Sequence, residues 1–114
     1  MNKKPAEGKW ISNYVFVEGK KLTNHLVAVN RDSQLVTLTS LLDELANTEY
    51  VPQALCVVPR RLKRRLQSVF DRSDSIETFE REFARAFTGT QVQGCRVFVA
   101  AADFESGYLD ILNH

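Results

Sequence analysis

The sequence predicts an α+β fold, with a mainly antiparallel sheet of about six strands and a two-helix layer inserted before the last two strands. Apolar segments outside residues 59–89 are short or alternating, which is typical of strands. Within that stretch the apolar residues recur at helical spacing, which predicts helices at about residues 60–70 and 75–88. The 114 residues are the usual size of one domain. We therefore expect a single domain at residues 9–114, preceded by a flexible polar tail at residues 1–8.

The first predicted strand, residues 9–17, is apolar on both of its faces. Strict alternation places Trp10 and Phe16 on one face and Val15 and Val17 on the other. Because a strand of this kind is central or covered on both sides, we expect it in the middle of the sheet.

The remaining predicted strands are short apolar runs bounded by turn residues. Residues 22–29 and 34–40 flank the turn-rich residues 30–33 and predict a hairpin. Residues 41–46 have leucines at helical spacing in too short a segment to form a helix alone, so we expect an irregular connection or a single helical turn. Later strands are predicted at residues 54–58, 95–102 and 108–112.

The ends of the two helices carry recognisable signals. Pro59 suits the first turn of the first helix, where its missing N–H is not needed. The second helix begins at Asp74 or Ser75, both of which are suitable N-caps, and Gly89 is suited to end it. Three phenylalanines spaced four apart form its apolar stripe and are the largest contribution to the predicted core: Phe79, Phe83 and Phe87.

The charge of the chain is close to balanced overall but unevenly distributed. The net charge is +1, yet residues 60–72 carry +5 between residues 22–59, which carry −3, and residues 73–114, which carry −4. A chain so close to neutral has no global field that attracts nucleic acid or an anionic membrane. We therefore expect the basic residues to pair with carboxylates within the fold or across a subunit contact.

Five of the six residues from 60 to 65 are cationic, and they are the candidate contact for nucleic acid or an acidic partner: Arg60, Arg61, Lys63, Arg64 and Arg65. A helix can lay such charges along a phosphate backbone and release its counterions. However, no aromatic residue alternates with the arginines as a stacking platform. The second helix also lacks the turn glycine and polar reading face of a helix-turn-helix motif.

No recognisable catalytic or metal-binding constellation occurs in the sequence. The two histidines are His25, inside a predicted strand, and the terminal His114, and neither stands in a nucleophile motif. Cys56 and Cys95 fall inside predicted buried strands, where thiols behave as small hydrophobes, and form no short chelating pair. We therefore predict a protein that is not an enzyme and that has no cofactor and no metal.

The sequence also lacks membrane and export signals. No apolar run approaches the roughly 20 residues of a membrane-spanning helix. The polar residues 1–8 are not followed by the apolar region of a secretory signal. We expect a cytoplasmic protein that does not contact membranes.

Apolar strands at Leu26–Val29 and Leu35–Leu38 are followed by a connector and by Leu55–Pro59, a strand that ends in proline. This order, over residues 19–59, resembles the N-terminal β-segment of the amidohydrolase-type metal-dependent hydrolases. In that family the proline precedes a glycine and a metal-binding His-x-His, whereas this chain continues with Arg60–Lys63. No metal-binding or catalytic residue is carried over, so the resemblance implies a small bacterial protein built on that β-segment without the enzyme.

The predicted strands at residues 10–17 and 95–102 carry more apolar surface than one helical layer covers. A second copy of the chain or a partner protein would cover the surplus. The main hypothesis is therefore a non-enzymatic protein-interaction or oligomeric module, a homodimer being the simplest form. The alternative is nucleic-acid binding through the basic helix, residues 60–72.

Overall fold

A computed structural model describes residues 7–40 and 48–113 and confirms the α+β fold. The predicted connection at 41–46 and most of the predicted tail lie outside the described residues. The elements, in chain order, are β1 (Gly8–Val17), β2 (Lys20–Val29), β3 (Leu35–Ser40), β4 (Glu49–Val51), β5 (Ala54–Pro59), a 3₁₀ turn (Arg60–Leu62), α1 (Lys63–Asp71), α2 (Ile76–Phe87), β6 (Val97–Asp103) and β7 (Tyr108–Ile111).

The described strands form one mixed, mostly antiparallel sheet in the order β3-β2-β1-β5-β6-β7. The predicted hairpin is confirmed, because β2 pairs antiparallel with β3. β1 is central, as predicted, and its second half pairs with β5 in parallel. Its first half pairs in parallel with β4, a short strand that the sequence analysis did not anticipate. The two helices follow β5 and precede the last two strands, which also agrees with the prediction.

Two predicted boundaries differ from the structure. Pro59 is the last residue of β5, opposite Val97, so the helical region begins with the 3₁₀ turn and α1 begins only at Lys63. A proline fits at a strand end because it has no N–H to contribute to the ladder. Cys95 was predicted inside a buried strand but lies in the turn before β6 and is half-buried.

The prediction that Trp10 and Phe16 share a face of β1 is wrong. Trp10 packs with Val15 and Val17, whereas Phe16 packs under the helices. The alternation of β1 therefore changes phase between Trp10 and Val15. Opposite this stretch, Asn24 of β2 adopts a left-handed conformation with φ of 54°, while the register of the two strands is the same on both sides of it.

The first core, here called the inner cluster, lies on the sheet face away from the helices and consists largely of valines. Its buried members are Trp10, Val15, Val17, Val27, Val29, Leu35, Val51, Leu55, Val57, Val92, Val97, Val99, Ala101 and Leu112. The sheet curls over this face until Gln34, just before β3, forms a β-bridge with Arg96, just before β6. The curled sheet therefore covers this face, and of the large apolar side chains at residues 10–17 and 95–102 only Tyr14 is exposed. Association of two copies stays a prediction.

The second core, the helix-side cluster, is built on phenylalanine. Phe79, Phe83 and Phe87 of α2 are all buried, as predicted, and Phe79 meets Phe16 of β1 edge to face with ring centroids 5.0 Å apart. Edge-to-face pairs of this kind contribute about 1 kcal/mol each beyond the area they bury. Of the two predicted N-caps, Ser75 holds the position, because its hydroxyl accepts a hydrogen bond from Thr78 N at 3.2 Å.

The end of the chain completes the closure of the sheet. Asn113 is fully buried, and its side-chain amide accepts from Val99 N at 2.7 Å and donates to Val97 O at 2.9 Å. These two bonds satisfy backbone groups at the edge of β6 that no strand reaches. A buried backbone group left without a partner costs about 1–3 kcal/mol. The Asn113 side chain avoids this cost at Val97 and Val99 by providing the hydrogen bonds that a neighbouring strand would otherwise make.

The β1–β2 turn packs against the end of α2, and the importance of this contact can be tested by substituting Gly19. Gly19 has φ of 80°, and a Cβ there would lie 2.7 Å from backbone atoms of Thr88. Gly107 has nearly the same φ, 79°, with nothing within 4 Å of the Cβ position. We expect Gly19→Ala to lower the free energy of unfolding by roughly 2–4 kcal/mol and Gly107→Ala by about 1 kcal/mol, as measured by urea denaturation. Equal losses for the two variants would contradict the proposed contact with Thr88.

Candidate functional site

The basic segment, defined as residues 60–65, lies at the carboxyl end of β5, in the 3₁₀ turn and the first turn of α1. The buried stripe of α1 is formed by Leu66, Val69 and Phe70, which turns the cationic side chains outward. Four of the five cations are exposed: Arg61, Lys63, Arg64 and Arg65.

None of these cations forms an ion pair with a carboxylate in residues 7–40 and 48–113. The ion pairs of this part of the chain lie elsewhere: Lys21 with Glu80, Arg31 with Glu7, and Arg72 and Arg85 with Glu82. The expected pairing of residues 60–72 with carboxylates of the same fold is met among the described residues by Arg72 alone, which lies 3.7 Å from Glu82, and not by residues 60–65. Pairing across a subunit contact stays a prediction.

Arg60 differs from the other four because it is half-buried and holds the chain end. Its guanidinium donates to Ser33 Oγ at 3.2 Å and to the carbonyl oxygen of Asn113 at 3.1 Å. Its Nε is buried and has no hydrogen-bond partner among the described residues. Arg60 thus joins the β2–β3 turn, the start of the helical region and the chain end, and it is a structural residue.

Arg65 has a mixed environment. Its guanidinium donates to the carbonyl oxygen of Ala86 at 3.3 Å and lies 6.0 Å from the centroid of the Phe87 ring. Both contacts are with the last turn of α2, where the helix dipole favours a cation. These contacts orient the side chain while most of it stays exposed to solvent.

The position of the cations within α1 is electrostatically unfavourable. Lys63, Arg64 and Arg65 occupy the first turn, which contains no acidic residue. The helix dipole places partial positive charge at this end, so each exposed cation there costs on the order of 0.3–1 kcal/mol relative to a neutral residue. Of the three, Arg65 alone gains contacts with described residues, Ala86 and Phe87 of α2, whereas an anion bound beside Lys63 and Arg64 would be attracted by both the side chains and the dipole.

Two clefts flank the basic segment. One has a volume of about 470 Å³ and brings Arg61 and Arg65 together with polar residues of the turn that follows α2, namely Thr90, Gln91 and Gln93. The other, of about 220 Å³, is lined by Arg60, Lys63, Phe98, Ile111 and Asn113. The sequence analysis missed the contribution of residues 89–95, because neutral polar residues in a turn give no signal that they lie beside a helix thirty positions earlier.

The remaining reactive residues are dispersed. His25 lies on β2, where its Nδ1 is 2.9 Å from the carbonyl oxygen of Thr23. Burial raises the pKa of the Cys56 thiol, which keeps it protonated. Within the described residues, no three His, Cys, Asp or Glu side chains are grouped so as to hold a metal ion. No helix in the described part of the chain is long and apolar enough to span a bilayer.

Comparison with known proteins adds no family to this description. No family model, no curated protein and no solved structure matches the chain. The resemblance of residues 19–59 to the amidohydrolase β-segment therefore stays a prediction, as does the absence of enzymatic activity.

The structural role of Arg60 and the exposed position of Arg64 predict different effects of substitution on the free energy of unfolding. Arg60→Ala removes two hydrogen bonds and leaves the Asn113 carbonyl without its donor, so we expect a loss of about 1.5–3 kcal/mol in the free energy of unfolding. Arg64→Ala removes an exposed cation from the first turn of α1 and should change that free energy by less than about 0.5 kcal/mol. Urea denaturation of both variants measures the difference. A similar loss in both would show that Arg64 also holds the fold together.

The two cysteines should differ in reactivity. Cys56 is fully buried, whereas Cys95 is half-buried in a turn, where its Sγ lies 3.4 Å from the carbonyl oxygen of Val92. We expect a disulfide reagent such as DTNB to modify one thiol per native chain and two after denaturation, because only an accessible thiolate reacts. In Cys95→Ser the native chain should show no rapid reaction. Rapid modification of Cys56 in that variant would mean that the helix-side cluster opens readily.

Proposed function

We propose that the protein binds nucleic acid through the phosphate backbone, with Arg61, Lys63, Arg64 and Arg65 as the contacts. The observation that carries the proposal is that these four exposed cations have no carboxylate partner in the described part of the chain. They are held at one end of a short helix whose dipole also favours an anion there.

The charge pattern supports a ligand with several regularly spaced negative charges. Arg61 and Arg65 line the larger cleft, Lys63 lines the smaller one, and Arg64 is exposed on the same turn of α1. A single small anion would engage one or two of these cations, whereas a phosphate backbone offers successive charges to several of them and releases its bound counterions. Arginine also presents several donors in a fixed plane that fits phosphate oxygens.

The composition of the larger cleft agrees with phosphate contacts. Thr90, Gln91 and Gln93 stand beside Arg61 and Arg65, and hydroxyl and amide groups are common donors to phosphate oxygens and sugars. Because the cationic side chains contact phosphates and not base edges in this proposal, we expect binding with little dependence on base sequence. The non-enzymatic character that the sequence analysis predicts is part of this proposal.

The proposal is tested by binding at graded salt concentrations. We expect binding to random duplex or single-stranded DNA at about 50 mM salt, and a duplex slope of log affinity against log salt of about −3.6 for four contacts. Replacing Arg61 and Arg64 together by glutamine should reduce the magnitude of this slope to about 1.8 and weaken binding strongly. The measurement is fluorescence anisotropy with a labelled oligonucleotide.

A matched control removes a cation from another surface. Arg81 is an exposed cation on α2. Arg81→Gln should leave the slope unchanged if the basic segment is the contact. Absence of binding at about 50 mM salt, or affinity that is indifferent to salt, would exclude the proposal.

A further inference from the structure

The larger cleft beside the basic segment has two walls of different chemistry. One wall is the start of the helical region, with Arg61 and Arg65, and the other is the turn after α2, with Gln91 and Gln93. Leu62, which is half-buried and packs against the helix-side cluster, adds an apolar patch. At about 470 Å³ the cleft is of a size that holds small ligands in other proteins.

The glutamine wall is fixed by the core of the protein. Val92, between the two glutamines, is buried in the inner cluster, and its backbone N donates to Glu18 Oε2 at 3.2 Å. Because Val92 is turned inward, Gln91 and Gln93 on either side of it are exposed. The backbone that carries the two amides is therefore held in place before any ligand binds.

The arginine wall is partly fixed as well. The contacts of Arg65 with Ala86 and Phe87 hold its guanidinium against the last turn of α2, close to where the glutamine turn begins. A guanidinium combines a positive charge with a flat surface. In the recognition of single strands, such flat surfaces stack on unpaired bases as aromatic rings do.

The three kinds of group in the cleft correspond to the three parts of one nucleotide. Guanidinium groups suit the phosphate and the face of the base, and the apolar patch at Leu62 suits the base ring. An amide has both a donor and an acceptor, so Gln91 and Gln93 suit the polar edge of a base. A nucleotide with an accessible base is therefore a better match than a phosphate alone.

The shape of the site favours a base that is not paired. In a duplex the base edges lie inside the grooves, and a protein reaches them with an element that projects from its surface. Here Gln91 and Gln93 line a depression between two elements, so the base has to enter the protein. An unpaired base can be turned out at little cost, whereas a paired base first has to be unpaired and unstacked.

We infer that the protein prefers single-stranded nucleic acid and that one unpaired base enters the larger cleft beside Gln91 and Gln93. This inference rests on the proposed function and deepens it, because it names the strand class and adds two uncharged contacts. The basic segment lacks an aromatic stacking platform, and the turn after α2 supplies base contacts in its place. Since an amide offers both a donor and an acceptor to any base, little dependence on base sequence is still expected.

The first experiment compares three labelled ligands of about 12 nucleotides by fluorescence anisotropy. They are an oligothymidylate, a random duplex, and an abasic strand that has the same phosphates and no bases. We expect oligothymidylate to bind more tightly than the duplex and about tenfold more tightly than the abasic strand, a ratio that two net hydrogen bonds can supply. Equal affinity for oligothymidylate and the abasic strand, or tighter binding of the duplex, would overturn the inference and leave the proposed function intact.

The second experiment removes the two amides. Gln91→Ala combined with Gln93→Ala should weaken oligothymidylate binding about tenfold and change binding of the abasic strand less than about twofold. Because no charge is removed, the slope of log affinity against log salt should stay at about −2.8 for four contacts with a single strand. Arg61→Gln combined with Arg64→Gln should instead reduce the magnitude of that slope to about 1.4.

A matched control removes an amide outside the cleft. Gln67 is exposed on α1, and its side chain donates to Asp71 Oδ1 at 2.8 Å. Gln67→Ala should bind all three ligands like the unmodified chain. If the variant at Gln91 and Gln93 is folded by circular dichroism and still binds oligothymidylate with undiminished affinity, the inference is wrong. If the unmodified chain binds none of the three ligands at about 50 mM salt, the proposed function fails and the inference fails with it.

Discussion

The structure depends on pairing along the outer edge of β6. That edge is shared by β7, by the side-chain amide of Asn113 and by the β2–β3 turn, where Val97 N donates to the carbonyl oxygen of Ser33 at 2.6 Å. Unless each of these partners is present, buried backbone groups lose their hydrogen bonds and the sheet opens. Neither described helix lies over the inner cluster, so within residues 7–40 and 48–113 its burial depends on this closure.

Closure also determines where the protein can meet a partner. Both faces of the sheet are occupied, one by the inner cluster and the other by the phenylalanines of the helix-side cluster. Charged groups without a partner among the described residues lie where a strand ends and the chain changes direction. The basic segment is of this kind, because its four exposed cations follow β5 and form no ion pair in the described part of the chain.

Local features of the structure were predictable from the sequence, whereas features that depend on distant contacts were not. The hairpin, the α2 cap at Ser75 and the buried stripe of Phe79 and its two neighbours follow from turn chemistry and periodicity. Period-two alternation does not reveal that β1 pairs in parallel with β5, or that the alternation of β1 changes phase between Trp10 and Val15. Formal charge likewise could not show that the basic segment has no carboxylate partner among the described residues, since ion pairing depends on which surfaces the closed sheet brings together.

The position of Trp10 has a practical consequence. It is the sole tryptophan of the chain, and it lies in the inner cluster with only 5% of its surface exposed. Its indole emission therefore reports water entering the inner cluster. The helix-side cluster contains phenylalanines and no tryptophan, so it does not contribute to this emission. Comparing that emission with the helical ellipticity during denaturation distinguishes opening of the sheet from melting of the helical layer, without any introduced label.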